Sequence, residues 1–218
     1  MPTPDRPRRP DAGDGLFILG LVGRAGSGKS TVARALAASG AVLIEADAIG
    51  HEVTGRDPEV RSALIAEYGP GVYGPDGALD RPQVAARVFS DAAARARLDR
   101  LVHPRIIERI RGRIARLVER GWRGTVVVDA ALLLDWRLER ECDAVLAVVA
   151  PEREQLRRLT AARGWNEAEA RRRLGVQRSN EDFAAAADET LDNRGTIEAL
   201  ELAALGAADR LRGNRRAR

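Results

Sequence analysis

Apolar residues in this chain fall in short unbroken runs, separated by longer stretches in which they recur every three or four positions. Leu16-Phe17-Ile18-Leu19-Gly20-Leu21-Val22 is such a run and predicts a strand buried on both faces of a parallel sheet. A glycine-rich turn follows, then a helix over Ser30–Ser39, with Val32, Ala35 and Leu36 at helical spacing. Ala41–Ile44 predicts a second strand, running out at Glu45-Ala46-Asp47. From there to about Arg120 the pattern predicts helices alone, broken by the turn-forming stretch Gly69–Gly77. Thr125–Asp129 and Ala144–Val149 predict two further strands. Pro151–Ala162 reads as a helix opened by its proline, and Glu167–Gln177 as a densely charged helix with little apolar face. A short strand near Glu189-Thr190-Leu191 precedes a helix over Thr196–Leu211.

Strands alternating with helices, each strand a continuous apolar run, predict an α/β fold with a doubly wound parallel sheet. The helical stretch between the second and third strands is then an insertion, placed outside the carboxyl ends of the strands, where such sheets bind substrates.

With 218 residues, 44% of them hydrophobic, the chain can build a sizeable core and is not wholly disordered. Thirty-six basic residues against 32 acidic ones give a net charge of +4, mixed in sign throughout, which neither demands a nucleic-acid partner nor forbids an anionic ligand. No apolar run approaches the roughly 18 residues of a membrane span. The N-terminal Met1–Pro7 does not resemble a signal peptide, so a cytoplasmic protein with no membrane partner is expected. Cys142, the single cysteine, forms no internal disulfide, and two distant histidines, His51 and His103, argue against a zinc site. Thirty-five of the basic residues are arginine; Lys29 is the only lysine. It stands where a compact ammonium and a planar guanidinium are not equivalent.

That position is inside Gly23-Arg24-Ala25-Gly26-Ser27-Gly28-Lys29-Ser30, which matches the P-loop pattern G-x-x-x-x-G-K-[ST] with a strand before it and a helix after. Glycines let successive backbone N–H groups face one anion at a helix N-terminus. Gly23, Ala25, Gly26, Ser27, Gly28, Lys29, Ser30 and Thr31 are therefore the expected nucleotide-binding residues, with Lys29 reaching the β- and γ-phosphates and the Ser30 hydroxyl ligating Mg²⁺. A GTPase would need an N-K-x-D element, for which no second lysine exists. Asp47 can polarise an acceptor hydroxyl as general base, or can serve as a helix N-cap. Asp129, at a strand end, is either a Mg²⁺ partner beside Ser30 or a turn carboxylate.

Taken together, these residues resemble the dephospho-CoA kinase family over about residues 16–212. The family's loop is similar to Gly23–Ala33, and its Asp-Ala-Asp to Glu45-Ala46-Asp47. Its Leu-x-x-[LI]-x-His-Pro resembles Leu98–Pro104, its Pro-Leu-Leu-[FV]-Glu resembles Ala131–Asp135, and its Asp-Asn-x-Gly matches Asp192-Asn193-Arg194-Gly195. The resemblance implies a three-layer P-loop kinase fold on a five-stranded parallel sheet, and MgATP-dependent phosphorylation of the ribose 3′-hydroxyl of dephospho-CoA. It implies catalytic roles for Asp47, Lys29 and a lid arginine, taken as Arg163, and nucleotide contact by Asn193. The implied organisation is a disordered leader at 1–15, a nucleotide-binding core at 16–45, 121–151 and 186–212, a helical acceptor domain at 46–120, a lid at 152–185 and a basic tail at 213–218. The expected partners are ATP and dephospho-CoA, without nucleic acid, in a monomer or small homo-oligomer. The alternatives are another small-molecule P-loop kinase, or a nucleic-acid-binding P-loop ATPase, against which the 4% aromatic content argues.

Where the chain departs from the family pattern, the expectations divide. Arg24 replaces a glycine of the loop and either crowds it or adds a phosphate contact. Arg163 stands one position from the family's place for its arginine; either it swings in, beside Gly164, which offers a hinge, or Arg157 or Arg158 from the preceding turns takes the role. His103 either contacts substrate or caps a helix beginning at Pro104. Arg171-Arg172-Arg173 is either a solvated helix face or a clamp over the triphosphate.

Overall fold

The computed structural model describes residues 15–84 and 91–216. Most of the predicted leader and the last residues of the basic tail fall outside them. Five strands form one sheet in the order β2-β3-β1-β4-β5, built from β1 Leu16–Val22, β2 Val42–Glu45, β3 Gly124–Asp129, β4 Ala144–Val149 and β5 Glu189–Asp192. β1 runs parallel to both β3 and β4, and β4 parallel to β5, as expected of apolar runs joined through helices. Every residue of β1 is buried because it lies at the centre of the sheet.

The side chains of β1 alternate between the two faces. Phe17, Leu19 and Leu21 join Val32 and Leu36 of α1 (Lys29–Ala38) and Leu200, Ala204, Ala207 and Leu211 of a C-terminal helix in one core cluster. Gly20, on the opposite face, sits against Leu133 and the Cys142 thiol, where a Cβ would be only 3.1 Å from the sulfur. The three-to-four spacing along the C-terminal helix, Ile197–Arg216, is what turns its apolar stripe onto the sheet.

The chain folds as two compact units. Glu45–Arg113 is one, holding α2 (Ala46–Arg56), α3 (Pro58–Tyr68) and most of a long helix, α4 (Ala92–Glu119); the other holds the sheet. Within α3 the start is set by Asp57, whose carboxylate accepts from the N–H groups of Glu59 and Val60, with Pro58 in the first turn. α4 corrects the expectation of a helix beginning at Pro104. It runs unbroken through that proline, so His103 is no cap and instead lies 3.4 Å from Asp99 one turn earlier. Val102, Ile106, Ile110 and Ile114, buried at four-residue intervals, give the tertiary packing that outweighs the missing donor.

After β4 come α5 (Glu152–Arg163), α6 (Glu167–Gly175) and α7 (Asn180–Ala186), then β5 and α8 (Ile197–Arg216). α7 is absent from the predicted elements. A capping box starts it: the Ser179 hydroxyl accepts from the Asp182 N–H while the Asp182 carboxylate accepts from the Ser179 N–H, each at 3.0 Å.

Candidate active site

The glycine-rich loop connects the carboxyl end of β1 to the first residue of α1. Gly28 is the N-cap of α1, at φ +105°, and contributes no side chain to the helix end. Among the described residues no group accepts from the N–H of Gly28, Lys29 or Ser30, so these donors and the positive end of the helix dipole face the same point. That is an anion nest of the kind that holds phosphates. Two glycines are also required by close approach: a Cβ on Gly23 would strike the Val148 carbonyl, and one on Gly28 would strike the Asn193 amide.

Beneath the nest, buried polar groups fix the loop. Asn193, directly after β5, is 6% exposed and donates to the Ser27 carbonyl at 2.8 Å. Arg158 of α5 donates to the carbonyls of Gly26 (3.1 Å), Ser27 (3.4 Å) and Asn193 (3.3 Å). One guanidinium thus binds the outward carbonyls of the loop to the strand end beside it. Asn193 therefore acts on the loop's backbone. The sequence offers Arg158 only as an alternative to Arg163 in the lid, because the four arginines of Glu152–Arg163 look alike by pattern.

Lys29 and Asp129 are brought together in a short ion pair. Sheet register accounts for it: Asp129 pairs with Leu21, one residue before β1 gives way to the loop. Both side chains are largely enclosed, at 17% and 10% exposure. The Ser30 hydroxyl and the Asp129 carboxylate are hard oxygen donors of the kind Mg²⁺ takes, one or two from the protein with the rest from phosphates and water. No cluster of three or more metal-ligating side chains exists among the described residues, so a cation held here would depend on the nucleotide for most of its ligands.

Arg24 makes its polar contacts outside the loop. Its guanidinium donates to the Leu174 carbonyl at 2.8 Å and reaches the Glu152 carboxylate at 3.5 Å. The Leu174 carbonyl belongs to the last turn of α6, at the negative end of the helix dipole, and also accepts from the Gln177 N–H at 3.0 Å. Next to it, the Ala25 N–H donates to the Gln177 side chain at 2.9 Å. Residues 24 and 25 therefore tie the loop to the segment that follows α6. Arg24 also lines a polar cavity of about 300 Å³ with Pro151, Glu152, Asn180, Asp192 and Arg194.

The arginine run on α6 behaves as a solvated face. Arg171 pairs with Glu167 and Glu152, and Arg173 pairs with Glu169 and stacks over Trp165 at 4.3 Å. Arg163 closes α5 and Gly164 caps it in the left-handed conformation at φ +66°; the Arg163 side chain lies outside the described residues. Asp47 occupies the first turn of α2, exposed, in the Glu45–Arg113 unit. It is not the N-cap, which is Glu45, and its carboxylate is free of a capping bond.

A family model described as dephospho-CoA kinase matches residues 17–199. The dephospho-CoA kinase of Thermobifida fusca is 42% identical over 187 residues, covering 85% of this chain and 92% of the relative. Among solved structures, TT1252 from Thermus thermophilus superposes with a TM-score of 0.76 at 31% identity, over 91% of this chain and 99% of that one. The dephospho-CoA kinase from Campylobacter jejuni, at 18% identity and a TM-score of 0.63, covers 90% of this chain and 97% of its own, a likeness of fold.

Proposed function

The chain belongs to the dephospho-CoA kinase family, and we propose that it performs the family's reaction with Asp47 as general base, Lys29 and Arg163 as phosphoryl-stabilising cations, and Ser30 and Asp129 as the protein ligands of Mg²⁺. The reaction is the ATP-dependent phosphorylation of dephospho-CoA to CoA, the last step in making that cofactor.

The observation that supports this assignment of roles is the nest at Gly28–Ser30 with Lys29 and Asp129 meeting at its rim. A triphosphate settled there meets the N–H groups of Gly28, Lys29 and Ser30. Lys29 then divides its ammonium between Asp129 and the β- and γ-phosphate oxygens. Asp47 takes the proton of the 3′-hydroxyl as that oxygen bonds to the γ-phosphorus, while the bond from phosphorus to the β,γ-bridging oxygen breaks and ADP leaves. Mg²⁺, when bound, neutralises charge between the β- and γ-phosphates. Lysine and arginine contribute most while the phosphoryl group is in flight, because their charge then meets the greatest charge.

Residues 46–120 serve on this reading as the acceptor domain and 152–185 as the lid. ATP and dephospho-CoA are small molecules, and the reading includes no nucleic-acid partner, a cytoplasmic location and a monomer or small homo-oligomer. No helix among the described residues is long and apolar enough to cross a membrane. The test is ATP turnover with dephospho-CoA, AMP, gluconate or single-stranded DNA supplied in turn. CoA formed from dephospho-CoA alone is the expected result; preference for any other acceptor overturns it.

A further inference from the structure

Within the Glu45–Arg113 unit most arginines near the chain's turns meet a carboxylate: Arg97 meets Glu67, Arg105 meets Glu59 and Asp57, Arg109 meets Asp57, and Arg113 meets Glu52. Arg61 and Arg81 differ. Both are half-buried, and neither has a carboxylate partner among the described residues. Arg61 donates through one nitrogen, Nη1, to the carbonyls of Gly55 (2.9 Å) and Gly77 (2.8 Å), and lies over the Tyr73 ring at 3.9 Å. Arg81 donates through Nη2 to the Thr54 hydroxyl at 2.8 Å, and the Tyr73 hydroxyl donates to the Thr54 carbonyl at 2.8 Å. Two cations thus converge on Thr54 and Tyr73. Burial lowers the pKa of the Arg81 guanidinium from its ordinary value, and raises that of the Tyr73 phenol.

A half-buried guanidinium without a counterion costs free energy, which a bound anion returns. The planar fork of arginine suits phosphoryl oxygens in particular. Position adds a second constraint. Thr54 follows Asp47 by seven residues along α2, two helical turns, so the two share a side of the helix about 10 Å apart along its axis. The acceptor is built on the same plan, with a 3′-hydroxyl on one side of its ribose and a 5′-diphosphate on the other.

We propose that Arg61 and Arg81 receive the 5′-diphosphate of the acceptor, while the 3′-hydroxyl of the same sugar meets Asp47 at the other end of α2. This rests on the reading of Asp47 as the acceptor-side base. Arg81, held by a single hydrogen bond, is the freer phosphate ligand; Arg61, held by two carbonyls and stacked on Tyr73, carries the second charge. The pair makes the site selective for acceptors with a diphosphate over those with a bare nucleoside.

The experiment uses the full chain at saturating ATP, so that the phosphate nest of the loop is filled. Arg81→Gln is expected to raise the KM for dephospho-CoA about 10–100-fold, with kcat and the KM for ATP each within about twofold of the parent. Arg61→Gln is expected to do the same to a lesser degree, and Arg81→Lys to recover part of the loss. Inorganic pyrophosphate should compete with dephospho-CoA in the parent and lose that competition in Arg81→Gln. If Arg81→Gln fails to fold by thermal melting, Arg81→Lys and the parent's pyrophosphate inhibition decide the matter. An unchanged KM for dephospho-CoA, a rise confined to the KM for ATP, or pyrophosphate that does not compete with dephospho-CoA overturns the proposal. A parent protein that makes no CoA overturns the functional reading instead, and the two failures are told apart by that first assay.

Discussion

Lys29 and Asp129 join the first residue of α1 to the last residue of β3 through a short ion pair. Both charges are mostly shielded from water, so each is the other's main compensation, and removing one strands its partner. An Lys29→Arg protein keeps a cation for Asp129 and is expected to melt within a few degrees of the parent. Its guanidinium is too wide to sit between two phosphates and the carboxylate, and turnover is expected to fall about 10²–10³-fold. Near-parental turnover would show that any cation suffices there.

Asp47→Asn separates acceptor chemistry from nucleotide binding. Loss of a general base lowers kcat by about 10²–10⁴-fold, with the KM for ATP unchanged. Steady-state kinetics varying each substrate in turn checks it. A weakened ATP affinity with an intact rate per bound complex would make Asp47 a metal or structural residue.

Arg158 and Arg163 divide a task that the sequence alone did not divide. Arg158→Ala leaves the carbonyls of Gly26, Ser27 and Asn193 without their shared donor, so the loop loses its shape. The expected result is a higher KM for ATP and a lower melting temperature. Arg163→Ala is expected to lower kcat while KM for ATP stays within about twofold, as for charge used only in the transition state. If Arg163→Ala is silent and Arg158→Ala alone costs kcat, the lid arginine is Arg158.

The places of the five strands along the chain, the loop and its lysine were all readable, because each follows from local periodicity or from a fixed spacing that the backbone requires. Long polar side chains were not. Arg24 could have served the phosphates by its place in the loop, yet its direction depends on the Leu174 carbonyl and Glu152, which lie 150 and 128 residues away in sequence. Pro104 misled for the opposite reason, since a local rule was overridden by packing along Val102, Ile106 and Ile110. α7 was missed although Ser179 and Asp182 carry a capping box at its start; the following short Ala-rich stretch gave no period to confirm it.

That box makes a pH-dependent prediction. Asp182 is held below its ordinary 3.8, chiefly by the Ser179 N–H it accepts from. A carboxylate with a depressed folded-state pKa adds stability above the unfolded value, and loses it as pH falls through the lower folded value. Ser179→Ala is expected to cost about 0.5–2 kcal/mol at neutral pH. Asp182→Asn should differ from the parent at neutral pH and converge on it as the pH drops below about 4; thermal melts across that range check both. A constant gap between parent and Asp182→Asn would mean the carboxylate is not what the box uses.

The central place of β1 also shapes the chain's history on the ribosome. Its partners begin at Gly124 and Ala144, so roughly a hundred residues must be made before its first neighbour exists, about 5–20 s at ordinary synthesis rates. During that interval the Glu45–Arg113 unit is synthesised in full, while β1, every residue of which is buried in the folded protein, remains unpaired. The strand that leads into the glycine-rich loop thus precedes both strands it pairs with by about a hundred residues, and it is there that a nascent chain of this kind is most exposed to aggregation.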